Sequence, residues 1–279
     1  MAVPLLRVAD LPRRALMGIV NVTPDSFSDG GQFLDPAAAI AHGQALADAG
    51  AAILDIGGES TRPGAEPVSA AEELARVLPV VRALAAGPVP VSIDTAKAEV
   101  AAAALDAGAR MVNDVSGGVD PEMLPLVART GAAYVTMHMR GTPRTMQQLT
   151  DYDDVVRDVA RELRARVDNA LAAGIARDGL LADPGIGFAK TLEHNVALLR
   201  ALPEIASATG VPMVVGTSRK SFLARLAGDE GRDDATLATT VWSFEHGAAM
   251  VRVHDVAASA RAVALLDVLE RATPEGMAA

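Results

Sequence analysis

Short apolar, β-branched runs alternate with Ala/Leu-rich stretches along the whole chain. The runs fall at 16–22, 52–56, 89–93, 111–115, 133–137, 180–182, 213–215 and 250–253. They are continuous, as expected for parallel strands covered on both faces. Between them, positions 36–49, 69–85, 97–107, 121–130, 152–173, 191–208, 219–247 and 256–271 carry helical patterns, the seventh as a broken helix. Asp35-Pro36 and Asp120-Pro121-Glu122 place an N-cap before a proline at the first helical position. Ser69-Ala70-Ala71-Glu72 has capping-box spacing. Gly50, Gly108, Gly131, Gly174 and Gly210 each sit where a helix should end and a strand follow. Eight strand–helix pairs predict an α/β fold, a single (β/α)8 TIM barrel, over 1–279 with its core at roughly 16–271. A doubly wound open sheet is the alternative, but no Gly-x-Gly-x-x-Gly follows the first strand.

In such a barrel the chemistry belongs at the C-terminal ends of the strands. Those positions read Asn21, then Asp55 followed by the Gly- and Ser-rich stretch 57–64, Asp94, Asn113-Asp114, His138, the loop 183–190, the stretch 216–222, and Arg252-Val253-His254. Polar groups inside or just after apolar runs cost several kcal/mol if buried without partners. Asp35 and Asp120 read as caps. Asp94, Asn113 and Asp183 instead form a hydrogen-bonding wall suited to a flat heterocycle with N–H groups along one edge. Arg62, Lys220, Arg252 and His254 would converge as cations on an anionic substrate, most simply a phosphate ester. The stretch Gly216-Thr217-Ser218-Arg219-Lys220-Ser221-Phe222 ends a strand and opens a helix, which leaves backbone N–H groups for an anion. A plain Ser-capped helix is the other reading of that stretch. No spacing suggests an all-protein metal site, although Asn21 could offer one oxygen to Mg²⁺ shared with phosphate oxygens. Ser218 has no histidine at a readable spacing, so no activated nucleophile is expected. The loops after the first two strands look like lids. Phe27, in the first, faces either a ligand or the barrel.

Composition narrows the class. The chain has 279 residues, 50% hydrophobic, with mean hydropathy +0.24. It has no cysteine, which excludes thiolate catalysis and a Cys-ligated zinc. A net charge of -10 and aromatics at only 3% argue against nucleic acid as a partner. No secretory leader is read at the N-terminus, and no apolar run is long enough for a membrane span. A cytoplasmic enzyme acting on small molecules, with no membrane partner, is the expectation.

The motifs also resemble a known family. Residues 17–31 (MGIVNVTPDSFSDGG) look like the first signature of the dihydropteroate synthases, the sulfonamide targets of folate synthesis, and 55–64 (DIGGESTRPG) like the second. Ser92-Ile93-Asp94-Thr95, the stretches 113–118, 183–190 and 216–222, and Arg252-Val253-His254-Asp255-Val256 recur in the same order. The resemblance implies a dimeric (β/α)8 barrel that joins p-aminobenzoate to 6-hydroxymethyl-7,8-dihydropterin diphosphate, releasing pyrophosphate with Mg²⁺. It implies that Asp94, Asn113 and Asp183 hold the pterin edge, Lys220 bonds the ring and Arg252 stacks on it. Asn21, Arg62, Arg252 and His254 would hold the diphosphate and Mg²⁺. Thr61, Arg62, Pro63, Phe27, Phe188 and Lys220 would close over p-aminobenzoate, whose carboxylate would meet Ser221. The implied mechanism is a dissociative substitution, with Asp29 helping to stabilise the methylene cation. A pterin-binding methyltransferase domain and an inactive pterin-binding paralogue are the rival readings.

Overall fold

The structure, a computed structural model, describes residues 6–23 and 35–271. Eight parallel strands close into a barrel in sequence order. They are β1 (Ala15–Asn21), β2 (Ile53–Gly57), β3 (Val91–Asp94), β4 (Met111–Asp114), β5 (Ala133–Met137), β6 (Leu180–Asp183), β7 (Met213–Val215) and β8 (Ala248–Val253). The helices are α1 (Pro36–Asp48), α2 (Ala70–Ala85), α3 (Ala98–Asp106), α4 (Met123–Thr130), α5 (Val155–Ala172), α6 (Leu192–Arg200), α7 (Leu202–Thr209), α8 (Ser221–Ala227), α9 (Arg232–Glu245) and α10 (Val256–Arg271). Among the described residues, no helix is long and apolar enough to cross a membrane.

The five glycines expected at helix ends all adopt positive φ, which only glycine takes without a Cβ penalty. Asp35 caps α1 through Ala37 N–H, and Ser69 caps α2 through Glu72 N–H. Two helices differ from expectation. The stretch 191–208 is two helices, because Pro203 can neither donate to the preceding turn nor sit comfortably beyond the first turn of a helix. Helix α4 starts at Met123, not at Pro121. Asp120 has other partners: its carboxylate accepts from Glu122 N–H at 3.0 Å and from Ala98 N–H, the uncapped start of α3, at 2.8 Å.

Strand parity sorts the side chains. Ala15, Met17, Ile53, Met111, Ala133, Val135, Leu181, Val214 and Met250 fill the barrel interior, and Leu6, ahead of β1, joins the same cluster. The intervening Leu16, Leu54, Ile56, Ile93, Val112, Tyr134, Ala182, Met213 and Val251 face the helices. One step above the interior layer, the same inward parity brings up Asp55, Asn113, Asp183 and Arg252. Apolar filling gives way to a polar layer at that level.

The seam between β1 and β8 pairs Ala15 with Met250 and Met17 with Arg252. Outside it, Arg14 is almost wholly buried and reaches Asp267 and Glu270 on α10 and Glu245 on α9. This clamp ties the first strand to the last two helices.

Candidate active site

Three members of the polar layer, Asp55, Asn113 and Arg252, form one bonded unit with Asp94. Asp55, fully buried on β2, accepts from Asn113 Nδ2 at 3.0 Å and from Arg252 Nε at 2.6 Å through the same oxygen, Oδ2. Arg252 Nη2 donates to Asp94 Oδ2 at 2.7 Å. The bond from Nδ2 fixes the Asn113 amide, so its Oδ1 is left as an acceptor. Asp183 Oδ1 accepts from Gly185 N–H at 2.7 Å, leaving Oδ2 as a second acceptor. Asp94, Asn113 and Asp183 thus present acceptors, which matches a ligand edge made of N–H donors. Sequence reasoning found these three but missed Asp55 as their organiser.

Parity also removes two groups from the rim. Asp114 and His138 stand on outward positions of β4 and β5. Asp114 accepts from Ser116, Gly118 and Tyr134, all outside the wall. His138 is fully buried and bonds Glu162 on α5. Strand β4 still delivers Asn113 to the rim, whereas β5 delivers no polar group there.

Burial sets the charge states. It pushes Asp94 up to about 7 against the pull of Arg252, and it also raises Asp183. Burial opposes the charge on Arg252, but Asp55 and Asp94 beside it prevail and hold its pKa high. Lys220 is lowered to about 8, again by burial. It donates to the Ile186 carbonyl and lies 4.7 Å from the centre of the Phe188 ring. The preceding Arg219 sits at φ 55, a left-handed conformation costing a non-glycine residue about 1–2 kcal/mol, and its N–H is held by Thr236.

Two sequence readings change here. His254 is not a cation in the free protein: burial, then Arg252, Arg219 and Arg62, lower its pKa to about 3. Ser218 does have a histidine neighbour, with its Oγ 2.8 Å from His254 Nδ1. The same Oγ accepts the His254 backbone N–H at 3.1 Å. A hydroxyl can accept twice and donate once, so the bond to Nδ1 runs in either direction with the tautomer of His254. Both contacts hold the Ser218 hydroxyl against His254. Arg62 contributes to the field at His254 from its loop, where it is exposed.

At the other end of the rim, a cavity of about 120 Å³ is lined by Pro63, Gly187, Lys190, Ser221, Phe222 and Arg225 among others. It brings the loops after β2, β6 and β7 together. Helix α8 opens beside it at Ser221 with no side-chain cap on its first N–H groups. The loop carrying Thr61, Arg62 and Pro63 is tied at its base: Glu59 accepts Val68 N–H at 3.1 Å and pairs with Lys97, which also pairs with the buried Glu73. Asn21 ends β1 opposite Gly57, and a Cβ at Gly57 would stand 3.6 Å from Asn21 Oδ1 and 3.5 Å from Asp94 Oδ2. Phe27 and Asp29 lie outside the described residues.

Barrel and rim together set the acceptors of Asp94, Asn113 and Asp183 beside the cations Arg252 and Lys220, an arrangement suited to a flat heterocycle with N–H donors along one edge. Residues 17–254 match the family of pterin-binding enzymes. The dihydropteroate synthase of Mycobacterium leprae (strain TN) is 50% identical over 270 residues, covering 93% of this chain and 95% of that one. The Yersinia pestis dihydropteroate synthase, solved with a sulfonamide drug complex, aligns at TM-score 0.90 and 42% identity, over 98% of this chain and 99% of that one. The Xanthomonas albilineans dihydropteroate synthase in complex with 7,8-dihydropteroate aligns at TM-score 0.85 and 42% identity, over 96% and 97%. This chain belongs to the dihydropteroate synthase family.

Proposed function

We propose that the rim of this barrel joins p-aminobenzoate to 6-hydroxymethyl-7,8-dihydropterin diphosphate, forming 7,8-dihydropteroate and releasing pyrophosphate. The observation that carries this reading is the Asp55–Asn113–Arg252–Asp94 network, which holds two acceptors, Asn113 and Asp94, in place beside cations, with Asp183 anchored separately by Gly185 N–H. Asp94, Asn113 and Asp183 receive the N–H groups of the pterin. Lys220 bonds the ring, and Arg252 lies against its face. Arg62, the remaining N–H groups of Arg252 and the imidazole of His254 hold the diphosphate. The leaving group is a good one once its charge is balanced, so substitution at the methylene is dissociative: pyrophosphate departs first and the electron-rich pterin carries the cation. The amine of p-aminobenzoate then attacks. The ring of p-aminobenzoate lies against Phe188, Lys220 and the Thr61-Arg62-Pro63 loop, and its carboxylate meets the uncapped start of α8 at Ser221. Phe27 and Asp29 keep the parts assigned by resemblance.

Asn21 fits a Mg²⁺ ion shared with the diphosphate. Its amide oxygen stands beside Asp94 over Gly57, and Mg²⁺ commonly takes one or two protein oxygens and completes its shell with water and phosphate. When bound, the ion would neutralise charge on the departing pyrophosphate. Among the described residues no group of three acidic or histidine side chains offers a fuller site.

A coupled pyrophosphate-release assay with both substrates tests the reaction; pterin binding without turnover would favour the inactive paralogue. The charge states make a second measurement decisive. Asp94 accepts an N–H far more strongly when ionised, so kcat/KM for the pterin diphosphate should fall as pH drops below about 7. Lys220 must keep its proton, so the same quantity should fall above about 8. Lys220→Arg should remove the alkaline limb alone; a profile flat across this range would contradict both assignments.

The chain is also proposed to act as a homodimer. Helix α9 packs against both α8 and α10, and Leu226, Trp242, Leu265, Val268 and Leu269 on these helices are exposed apolar residues. Sedimentation velocity at micromolar concentration should show a species of twice the chain mass, and a monomer alone would remove this reading.

A further inference from the structure

The loop from Gly185 to Ala189, between β6 and α6, has an unusual backbone. Three of its five residues take positive φ: Gly185 at 68, Gly187 at 86 and Ala189 at 51. Such a segment does not hold its shape unaided, because alanine pays for the left-handed region and glycine is free to leave it. Yet this loop presents the Ile186 carbonyl and the Phe188 ring to Lys220.

What fixes it lies behind it. Lys190, nearly fully buried, points its ammonium back under the loop. It donates to Phe188 O at 2.7 Å, to Gly185 O at 3.2 Å and to His138 Nδ1 at 3.0 Å. Burial lowers the Lys190 pKa to about 7, and in its protonated form all three of its N–H groups are used. His138 can accept because burial holds it neutral, at about 4, and because its Nε2–H goes to Glu162 Oε2 at 3.0 Å. Glu162 is in turn held by Arg140. Tyr152 donates to Ala189 O at 3.0 Å, and Gly187 N–H donates to Asn195 Oδ1 at 2.6 Å. A side chain at Gly185 would collide with the His138 carbonyl, so the loop lies directly on this support.

We propose that Lys190 is a positioning residue for the arylamine, acting through the carbonyls of Gly185 and Phe188 to hold the Phe188 ring and the Lys220 ammonium in place. The inference rests on the placement of p-aminobenzoate against Phe188 and Lys220 given above. It adds a residue whose ammonium is spent on the loop and on His138, in a network of Glu162, His138 and Lys190 that the substitution chemistry itself does not use.

The test is the kinetics of Lys190→Met, which keeps the aliphatic stem and removes the three donors. With folding verified by a thermal melt, kcat/KM for p-aminobenzoate should fall by about tenfold or more, as misplacement of a reacting partner does. Pterin affinity, measured by calorimetry without p-aminobenzoate, should fall by less than this, since Asp94 and Asn113 keep their partners and only Asp183 and Lys220 lean on the loop. Unchanged p-aminobenzoate kinetics in the folded variant, or equal losses for both substrates, would overturn the proposal. Should Lys190→Met not fold, Tyr152→Phe keeps the ring under Arg140 and removes only the bond to Ala189 O. A smaller loss with the same split is then expected, and no split would overturn the idea equally. Phe188→Ala separates the two layers of the argument. If it leaves p-aminobenzoate unaffected, the placement of the arylamine fails and the clamp with it. If it impairs p-aminobenzoate and Lys190→Met does not, the clamp alone fails.

Discussion

Replacing Arg252 by alanine should cost about 3 kcal/mol of folding free energy and remove measurable pterin binding in the same step. Arg252 pairs with Asp55, whose side chain has no exposure, and with Asp94, whose side chain is 10% exposed. Taking the guanidinium away leaves two carboxylates facing each other in the barrel with nothing to balance them. The figure sits at the low end for a broken buried pair because Arg252 is itself 21% exposed, so water reaches the gap, and because a carboxyl can take up a proton. That escape gives the prediction a sign. Asp94 already titrates at about 7, above its unfolded value, and rises further without Arg252. A group whose folded pKa is raised favours the folded state below its unfolded pKa and loses that contribution as pH rises through the folded one. The deficit of Arg252→Ala should therefore be larger at pH 8 than at pH 5. Denaturant titrations followed through Trp242, the single tryptophan, measure it at both values. A deficit independent of pH would mean that Asp94 and Asp55 are not what Arg252 neutralises. Binding should suffer for pterin and diphosphate alike, because Arg252 orders the wall through Asp55 as well as contributing charge. Arg252, expected from the sequence both to stack on the pterin and to hold the diphosphate, also orders the wall through its two bonds to carboxylates.

Asp183→Asn should weaken pterin binding by about 1.5–3 kcal/mol, the scale of a charge-assisted hydrogen bond. The asparagine can still accept Gly185 N–H through its oxygen, so the β6 loop keeps its anchor. Its NH₂ must then occupy the place of Oδ2, where it meets a ligand N–H donor to donor. The loss is thus specific to the ligand edge, and the thermal midpoint should not fall, because the variant no longer buries a charge. Calorimetric titration with the hydroxymethylpterin checks both halves. Unchanged affinity would take Asp183 out of the wall.

The barrel was legible because its strands are continuous apolar runs and its helix ends carry glycine where positive φ is required. Asp94, Asn113 and Asp183 were legible as polar residues inside or directly after an apolar run. What escaped were relationships rather than residue types. Arg252 and Asp55 are 197 positions apart, and Ser218 and His254 are 36 apart. Nothing along the chain announces such pairs. Parity was available but unused: Asp55 stands two after the interior Ile53, and Asn113 two after Met111, whereas Asp114 and His138 fall on the other phase. Counting by twos from the interior residues would have excluded Asp114 and His138 and promoted Asp55. Lys190 gave no signal, since a lysine closing a glycine-rich loop reads as solvated until burial is known. The break in 191–208 was visible as Pro203 and was passed over because the apolar pattern continues through it.

The clamp made by Arg14 has a consequence for how the chain comes into being. Its partners, Glu245, Asp267 and Glu270, lie 231, 253 and 256 positions away. β1 can pair with β2 soon after both leave the ribosome, but its other edge waits for β8, and the buried guanidinium waits for α10. For most of synthesis the nascent chain therefore carries one open parallel edge, the kind of template on which chains misassociate. Closure is a late, long-range event, so a change at Arg14 should show itself first as poor yield of folded enzyme at high expression, while the enzyme that does fold turns over normally.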